Sequence, residues 1–114
     1  MGIFSKKQMI PQPQGLVSVL LDEYAPFGDR DDAAMDLGAY DEPEAEEALF
    51  SVACRPDTDR LLTETCGESL GEIWSWRGSL NRDGLMKLDG VAKEFALGVI
   101  KARRPEWQEQ IQEC

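Results

Sequence analysis

The apolar residues of this chain recur at intervals of three and four, which is the period of an amphipathic α-helix. No stretch shows the sustained two-residue alternation and hairpin turns of β-strands, so the pattern predicts an all-α fold. The longest apolar stripe lies within residues 57–78. We expect a flexible lead-in over residues 1–13 and a single helical domain over residues 14–114. The helices are predicted over residues 14–25, 29–40, 43–54, 57–77, 80–88 and 89–104, about six in all, with a final turn after Pro105.

Prolines, glycines and acidic residues predict where these helices begin and end. Proline suits the first helical position and glycine the position after the last, while short polar side chains cap the N-terminus. The predicted markers are Asp29 as cap of the second helix, Pro43 at the start of the third, Asp57 or Thr58 as cap of the fourth, Gly78 as its end, and Asp89 as cap of the last long helix.

A Leu-Gly pair recurs late in three of the predicted helices, at Leu37-Gly38, Leu70-Gly71 and Leu97-Gly98, with spacings of 33 and 27 residues. Recurrence at this interval is typical of helical repeat arrays. Gly67 and Gly71 stand four residues apart on one side of a helix. Since Glu64, Glu68 and Glu72 exclude a membrane setting, we expect these glycines to allow close contact between two helices of a water-soluble domain.

The net charge of −10 is concentrated in one part of the chain. Between Asp22 and Glu47 there are eleven acidic residues and one base, Arg30, whereas the rest of the chain is balanced. Such a field repels nucleic acid and speeds association with a basic partner. The alternative is that these carboxylates only keep exposed helix faces soluble.

The residue types that most often carry catalysis or metals are scarce. The chain has no histidine, the commonest general base and metal ligand. Cys54, Cys66 and Cys114 have neither zinc spacing nor a base partner, and Cys66 falls on an apolar helix face, where a small core residue is expected. No glycine-rich phosphate loop or calcium loop occurs. We therefore predict no catalytic residue, no cofactor and no metal site.

Trp74 and Trp76 stand two residues apart and cannot occupy the same side of a helix. If Trp74 is in the core, then Trp76 is partly exposed beside Arg77, and such a pair is typical of interface anchors. The alternative is that Trp76 packs under the connection between residues 78 and 88.

The segment Asp29-Arg30-Asp31-Asp32-Ala33-Ala34-Met35-Asp36-Leu37-Gly38 resembles the second helix of a HEAT-like repeat of the short bilin-lyase type. Residues 44–73 resemble the next unit, with Cys66-Gly67 in place of the small pair, and residues 89–100 resemble a weaker third copy without the opening arginine. The resemblance covers about residues 15–104 and implies a short right-handed α-solenoid. Some HEAT-like enzymes are di-iron hydroxylases with paired His-Glu motifs, and a chain without histidine departs from that pattern.

The function that fits these features best is a cytoplasmic, non-catalytic, acidic module that masks a basic protein, such as an immunity or antitoxin protein bound to its toxin. No nucleic acid or membrane is expected as a partner. The resemblance implies a second class, a scaffold or chaperone-like assembly factor, and a carboxylate-dependent enzyme is a third. The expected partner-binding residues are Asp29, Asp31, Asp32, Asp36, Asp41, Glu42, Glu46 and Glu47, with Trp76 as an anchor.

Overall fold

A computed structural model describes residues 11–112 of the protein. Within this range the chain forms seven α-helices and one short 3₁₀ turn. None of these helices is both long enough and apolar enough to cross a membrane. The helices are α1 (Gln14–Leu21), α2 (Phe27–Leu37), α3 (Pro43–Cys54), α4 (Arg60–Arg77), α5 (Arg82–Lys87), α6 (Gly90–Arg103) and α7 (Gln108–Gln112), with the 3₁₀ turn at Pro105–Trp107.

The all-α prediction is confirmed, and several predicted helix ends are correct. Pro43 begins α3, Gly78 ends α4 in the left-handed conformation with φ 77°, and Asp89 is the N-cap of α6. Gly78 fits because only glycine adopts that backbone region without steric cost. Of the predicted lead-in, residues 1–10 lie outside the described part of the chain, and Pro13, at its end, is buried.

Other predicted ends were wrong, each for a local reason. The first helix stops at Leu21 rather than near Ala25, and α2 begins at Phe27, which puts Asp29 in its first turn. The N-cap of α4 is Asp59 and not Asp57 or Thr58, because the Asp59 carboxylate accepts a hydrogen bond from the Leu61 backbone N–H at 2.8 Å. The described residues contain seven α-helices rather than about six, because the final turn after Pro105 continues into α7.

Helices α2, α4 and α6 run side by side in the same direction, with α4 in the middle. Along α2 and α4, Thr65 bonds to Asp31 and Ser69 bonds to the carbonyl of Ala34, so residue numbers rise together. Along α4 and α6 the backbones meet first at Gly67 and Ala92, then at Gly71 and Ala96. The three helices therefore form one layer.

Helices α1 and α3 lie behind this layer and run parallel to each other. Gln14 near the start of α1 contacts Glu44 near the start of α3, while Glu23 after α1 pairs with Arg55 after α3. Short connections join α1 to α2 and α3 to α4, so α1 and α2 form one antiparallel pair and α3 and α4 form another. Apolar side chains between the two layers form the core, including Leu20, Leu37, Leu49, Leu70, Ile73 and Trp74, all with no exposed surface.

The contact between α4 and α6 depends on the two glycines. A Cβ atom at Gly67 would lie 2.4 Å from the carbonyl oxygen of Ala92, and one at Gly71 would lie 2.9 Å from that of Ala96. These separations are shorter than any van der Waals contact, and the opposing atoms are backbone. The prediction of close helix contact at this pair is confirmed. By contrast, nothing lies within 4 Å of a Cβ atom at Gly98.

The Gly67→Ala substitution is expected to reduce the free energy of unfolding by about 2–3 kcal/mol, because α6 must move away from α4 to admit the methyl group. The matched control is Gly98→Ala in α6, where the added methyl group enters open space. There, the higher helix propensity of alanine should add up to about 1 kcal/mol. Urea unfolding followed by circular dichroism measures both. Equal effects of the two substitutions would contradict the glycine packing described here.

Candidate functional site

Two hydroxyl groups of α4 fix its position against α2. Thr65 Oγ1 donates to Asp31 Oδ1 at 2.6 Å, and Ser69 Oγ donates to the backbone oxygen of Ala34 at 2.7 Å. Both hydroxyl-bearing residues are buried. Because the second bond ends on main-chain oxygen, it holds the two helices together whatever side chain stands at position 34. Both bonds lie beneath the surface, along the line where α2 and α4 meet.

Exposed apolar side chains follow this line, which we call the α2–α4 seam. Met35 and Trp76 lie along its later part. Phe27 and Leu61 stand one helical turn before Asp31 and Thr65, so the helical period places them at its beginning. An open groove of about 640 Å³ occupies that later part, and its walls include Val99 of α6. Large apolar residues at the surface that lie along one line mark an interaction site more often than scattered ones do. Their exposed fractions are 43% for Phe27, 58% for Leu61, 59% for Met35 and 48% for Trp76.

Trp74 and Trp76 lie on different sides of α4, as their spacing of two residues implies. Trp74 is fully buried, and its indole N–H donates to Glu46 at 2.8 Å. Trp76 is half exposed, and its indole N–H donates to the backbone oxygen of Gly38 at 2.9 Å. That carbonyl is at the C-terminal end of α2, where helix carbonyl groups lack intrahelical partners. The bond therefore holds the Trp76 ring across the seam, rather than under the connection that follows Gly78.

Carboxylates of α4 line the groove beside these apolar groups. Glu68 and Glu72 belong to its walls. Glu72 is paired with Arg103 of α6, at 2.6 Å between Oε1 and Nε and 3.0 Å between Oε2 and Nη2. Glu68 is exposed and has no hydrogen-bond or ion-pair partner among residues 11–112. The groove thus combines an apolar lining with a free negative charge, the chemistry that accepts an apolar side chain flanked by a cation.

Glu46, one of the predicted contact residues, is a structural residue inside the fold. Its carboxylate accepts hydrogen bonds from Trp74 at 2.8 Å, Asn81 at 2.7 Å and Arg77 at 3.0 Å. Partial burial by itself would raise the pKa of Glu46, but the hydrogen bonds from Asn81, Trp74 and Arg77 and the charge of Arg77 outweigh it and lower the pKa. Glu46 therefore connects α3 to the end of α4 and to the start of α5.

Three of the predicted contact residues form a group on α2. Asp29, Asp32 and Asp36 are exposed and line a shallow groove between α1 and α2, together with Asp22 and Val19. We call these three residues the acidic edge. Their carboxylates have no hydrogen-bond or ion-pair partner among residues 11–112. Met35, by contrast, lines the groove on the α4 side of the same helix, so the acidic edge and the seam lie on two sides of α2.

The other predicted contact residues lie elsewhere. Asp31 is half buried and accepts the Thr65 hydrogen bond. Asp41 and Glu42 are exposed in the connection before α3. Glu47 is exposed and lines a separate groove between α3 and α5. The fold therefore divides the set. Asp29, Asp32 and Asp36 line the groove between α1 and α2, and Trp76 lines the groove between α2 and α4.

The two described cysteines are free thiols whose pKa values are raised. Cys66 is fully buried, and desolvation, with the nearby Asp31 charge, raises the pKa of its thiol to about 12. Cys54 is exposed at the end of α3, and desolvation followed by the charge of Asp89 raises its pKa. Neither thiol is activated as a nucleophile. Cys114 lies outside the described residues. Within residues 11–112, no three acidic or cysteine side chains are grouped so that they could hold a metal ion.

The contact residues predicted from the sequence do not include the seam residues Met35, Leu61 and Glu68. One signal was available: Glu64, Glu68, Glu72 and Trp76 stand at successive intervals of four, which puts them on one stripe of a helix. Met35 gave no signal, because a methionine within a helix is usually a core residue. Its exposure follows from the way α2 packs on α1 and α4.

Comparison of the chain with protein-family models, with curated proteins and with solved structures found no match. The HEAT-like resemblance therefore rests on the quoted motifs alone, and the candidate site rests on the geometry described above.

Replacing Glu46 with alanine should lower the free energy of unfolding by about 2–4 kcal/mol, because it removes the acceptor of the Trp74 indole N–H, the Asn81 amide and Nη1 of Arg77. The matched control is Glu47→Ala on the same helix, an exposed residue for which a change within about 0.5 kcal/mol is expected. Chemical denaturation at pH 7 measures both. A loss for Glu46→Ala no larger than for Glu47→Ala would contradict the structural role of Glu46.

The contribution of Glu46 should also depend on pH. Its pKa is lower in the folded state than its usual value of 4.5, so ionised Glu46 stabilises the fold above that pH. This stabilisation is lost as the pH falls below 4.5 and through the lowered pKa. The difference in unfolding free energy between wild type and Glu46→Gln should therefore shrink from pH 6 to pH 3. A difference that stays constant over this interval would contradict the assignment.

Proposed function

We propose that this protein is a non-catalytic, acidic binding module for a basic protein partner. The observation that carries the proposal is that α2 presents two features to solvent. The unpaired carboxylates of the acidic edge lie on its side toward α1, and the half-exposed ring of Trp76 is bonded to its C-terminal carbonyl on the side toward α4. Exposed carboxylates accelerate association with a cationic surface, and a fixed tryptophan supplies apolar contact area. The most concrete form of this role is an immunity or antitoxin protein that covers the basic substrate groove of a toxin.

The arrangement of helix pairs supports a short, right-handed HEAT-like solenoid as the architecture. Gly38 of the first Leu-Gly pair meets Ser69 of α4, and Gly71 of the second meets Ala96 of α6. Gly98 of the third pair meets no other residue, as expected for the last unit of an array. In such an array the parallel second helices form one continuous surface, which suits a protein that covers an extended area of its partner.

The variant with Asp29→Asn, Asp32→Asn and Asp36→Asn tests the proposed role of the acidic edge. The natural partner is first identified by co-purification from the source cell or as the product of a neighbouring toxin reading frame. The variant should associate with this partner at least about tenfold more slowly at low salt, because the steering charge is removed. Its affinity should also fall less steeply with added salt. Stopped-flow or surface plasmon resonance measurements at several salt concentrations give both quantities.

The matched control neutralises three exposed acids outside the acidic edge, in Asp83→Asn, Asp89→Asn and Glu109→Gln. It changes the net charge by the same amount. If the two triple variants associate at the same rate, only the total charge matters and the acidic edge is not the contact site. If wild-type binding is insensitive to salt and extends to several unrelated partners, the scaffold or assembly-factor class replaces the proposed function. The exposed apolar residues of the seam are the feature that favours that second class.

A further inference from the structure

The seam between α2 and α4 has the dimensions and the lining of a site for one helix. On α4 its two exposed apolar residues, Leu61 and Trp76, stand fifteen residues or about 22 Å apart along the helix axis. A bound helix of about four turns has the same length. The walls on both sides are helices, and no strand edge occurs in residues 11–112 to which an extended peptide could add.

The lining also specifies the charge of the occupant. Glu68 in the groove has no cationic partner among the described residues. Asp32 and Asp36, on the α1 side of the neighbouring helix α2, have none either. Arg103, the basic residue in the groove lining, is already paired with Glu72, and Arg60 at the start of α4 is paired with Glu64. An occupant that carries Lys or Arg on both sides of an apolar stripe would complement this surface, whereas an acidic helix would be repelled.

Two hydrogen bonds fix the walls of the groove. The Trp76 ring is held by its bond to Gly38, and the helices on either side are joined by the Ser69–Ala34 bond. A site that does not need to be ordered on binding loses less affinity to conformational entropy. The exposed apolar groups Phe27, Leu61 and Met35 are thus presented on a rigid base.

We propose that the α2–α4 seam is the docking groove for a basic amphipathic helix of the partner protein, with Met35, Leu61 and Trp76 receiving its apolar stripe. This inference rests on the proposed function and adds the structural class of the ligand. The acidic edge attracts the helix and the seam retains it. Loss of the apolar contacts should therefore shorten the lifetime of the complex, whereas loss of the acidic edge should slow its formation.

The probe is a fluorescein-labelled sixteen-residue peptide of Leu, Lys and Ala, with leucine at every third or fourth position so that it forms an amphipathic helix. A peptide of the same composition in scrambled order is the ligand control. Fluorescence anisotropy is measured with the full-length protein at low salt. The first variant is Met35→Gln with Leu61→Gln in the seam. The matched control variant is Leu21→Gln with Met86→Gln, which changes the same residue types at exposed positions outside the seam.

The expected result is that the amphipathic peptide binds wild type at least about tenfold more tightly than the scrambled peptide does. The seam variant should lose about tenfold in affinity, mainly through faster dissociation, while the control variant should match wild type. Circular dichroism confirms that both variants keep the wild-type helix content.

Three outcomes would overturn the inference: equal binding of the two peptides, equal losses for the two variants, or no binding of the amphipathic peptide. If binding still weakens when the acidic edge is neutralised, the proposed function survives without the groove. If neutralising the acidic edge also has no effect on the natural partner, the proposed function fails separately.

Discussion

The close approach of α4 to its neighbours is the constraint on which the rest of this structure depends. The backbone of α6 reaches α4 at Gly67 and Gly71 because neither residue has a Cβ atom. On the other side, the Ser69 hydroxyl reaches a main-chain oxygen of α2. These contacts set three parallel helices into one layer. The outward surface of that layer is consequently continuous, and the candidate site lies on it.

Glu46 stabilises the burial of one of two neighbouring tryptophans. By accepting the hydrogen bond of Trp74 it satisfies the one polar group of a fully buried ring, which makes that burial tolerable. Trp76, two residues later on the same helix, must then point outward, where Gly38 fixes it. A carboxylate that sequence reasoning assigned to the binding surface therefore acts from inside the fold. Its effect on the surface is indirect.

The features that the sequence predicts well are those with local causes. The helical period, Pro43 at the start of α3 and Gly78 at the end of α4 all follow from backbone chemistry within a few residues. The cap of α4 was missed because Asp57, Thr58 and Asp59 are adjacent candidates and only the tertiary path of the chain selects among them. The division of the acidic residues could not be predicted either. Whether a carboxylate such as Asp31 or Glu46 is free or bonded depends on α4, which lies about thirty residues further along the chain.

The most direct test of the docking groove at the α2–α4 seam is two-dimensional NMR of the tryptophan indole N–H signals while the basic amphipathic peptide is added. The three tryptophans lie in separate places: Trp74 in the core, Trp76 in the seam, and Trp107 in the 3₁₀ turn after α6, where Arg104 lies over its ring. The Trp76 signal should shift progressively with peptide concentration, while those of Trp74 and Trp107 should stay within a small fraction of that shift. A moving Trp107 signal with an unchanged Trp76 signal would contradict the docking groove.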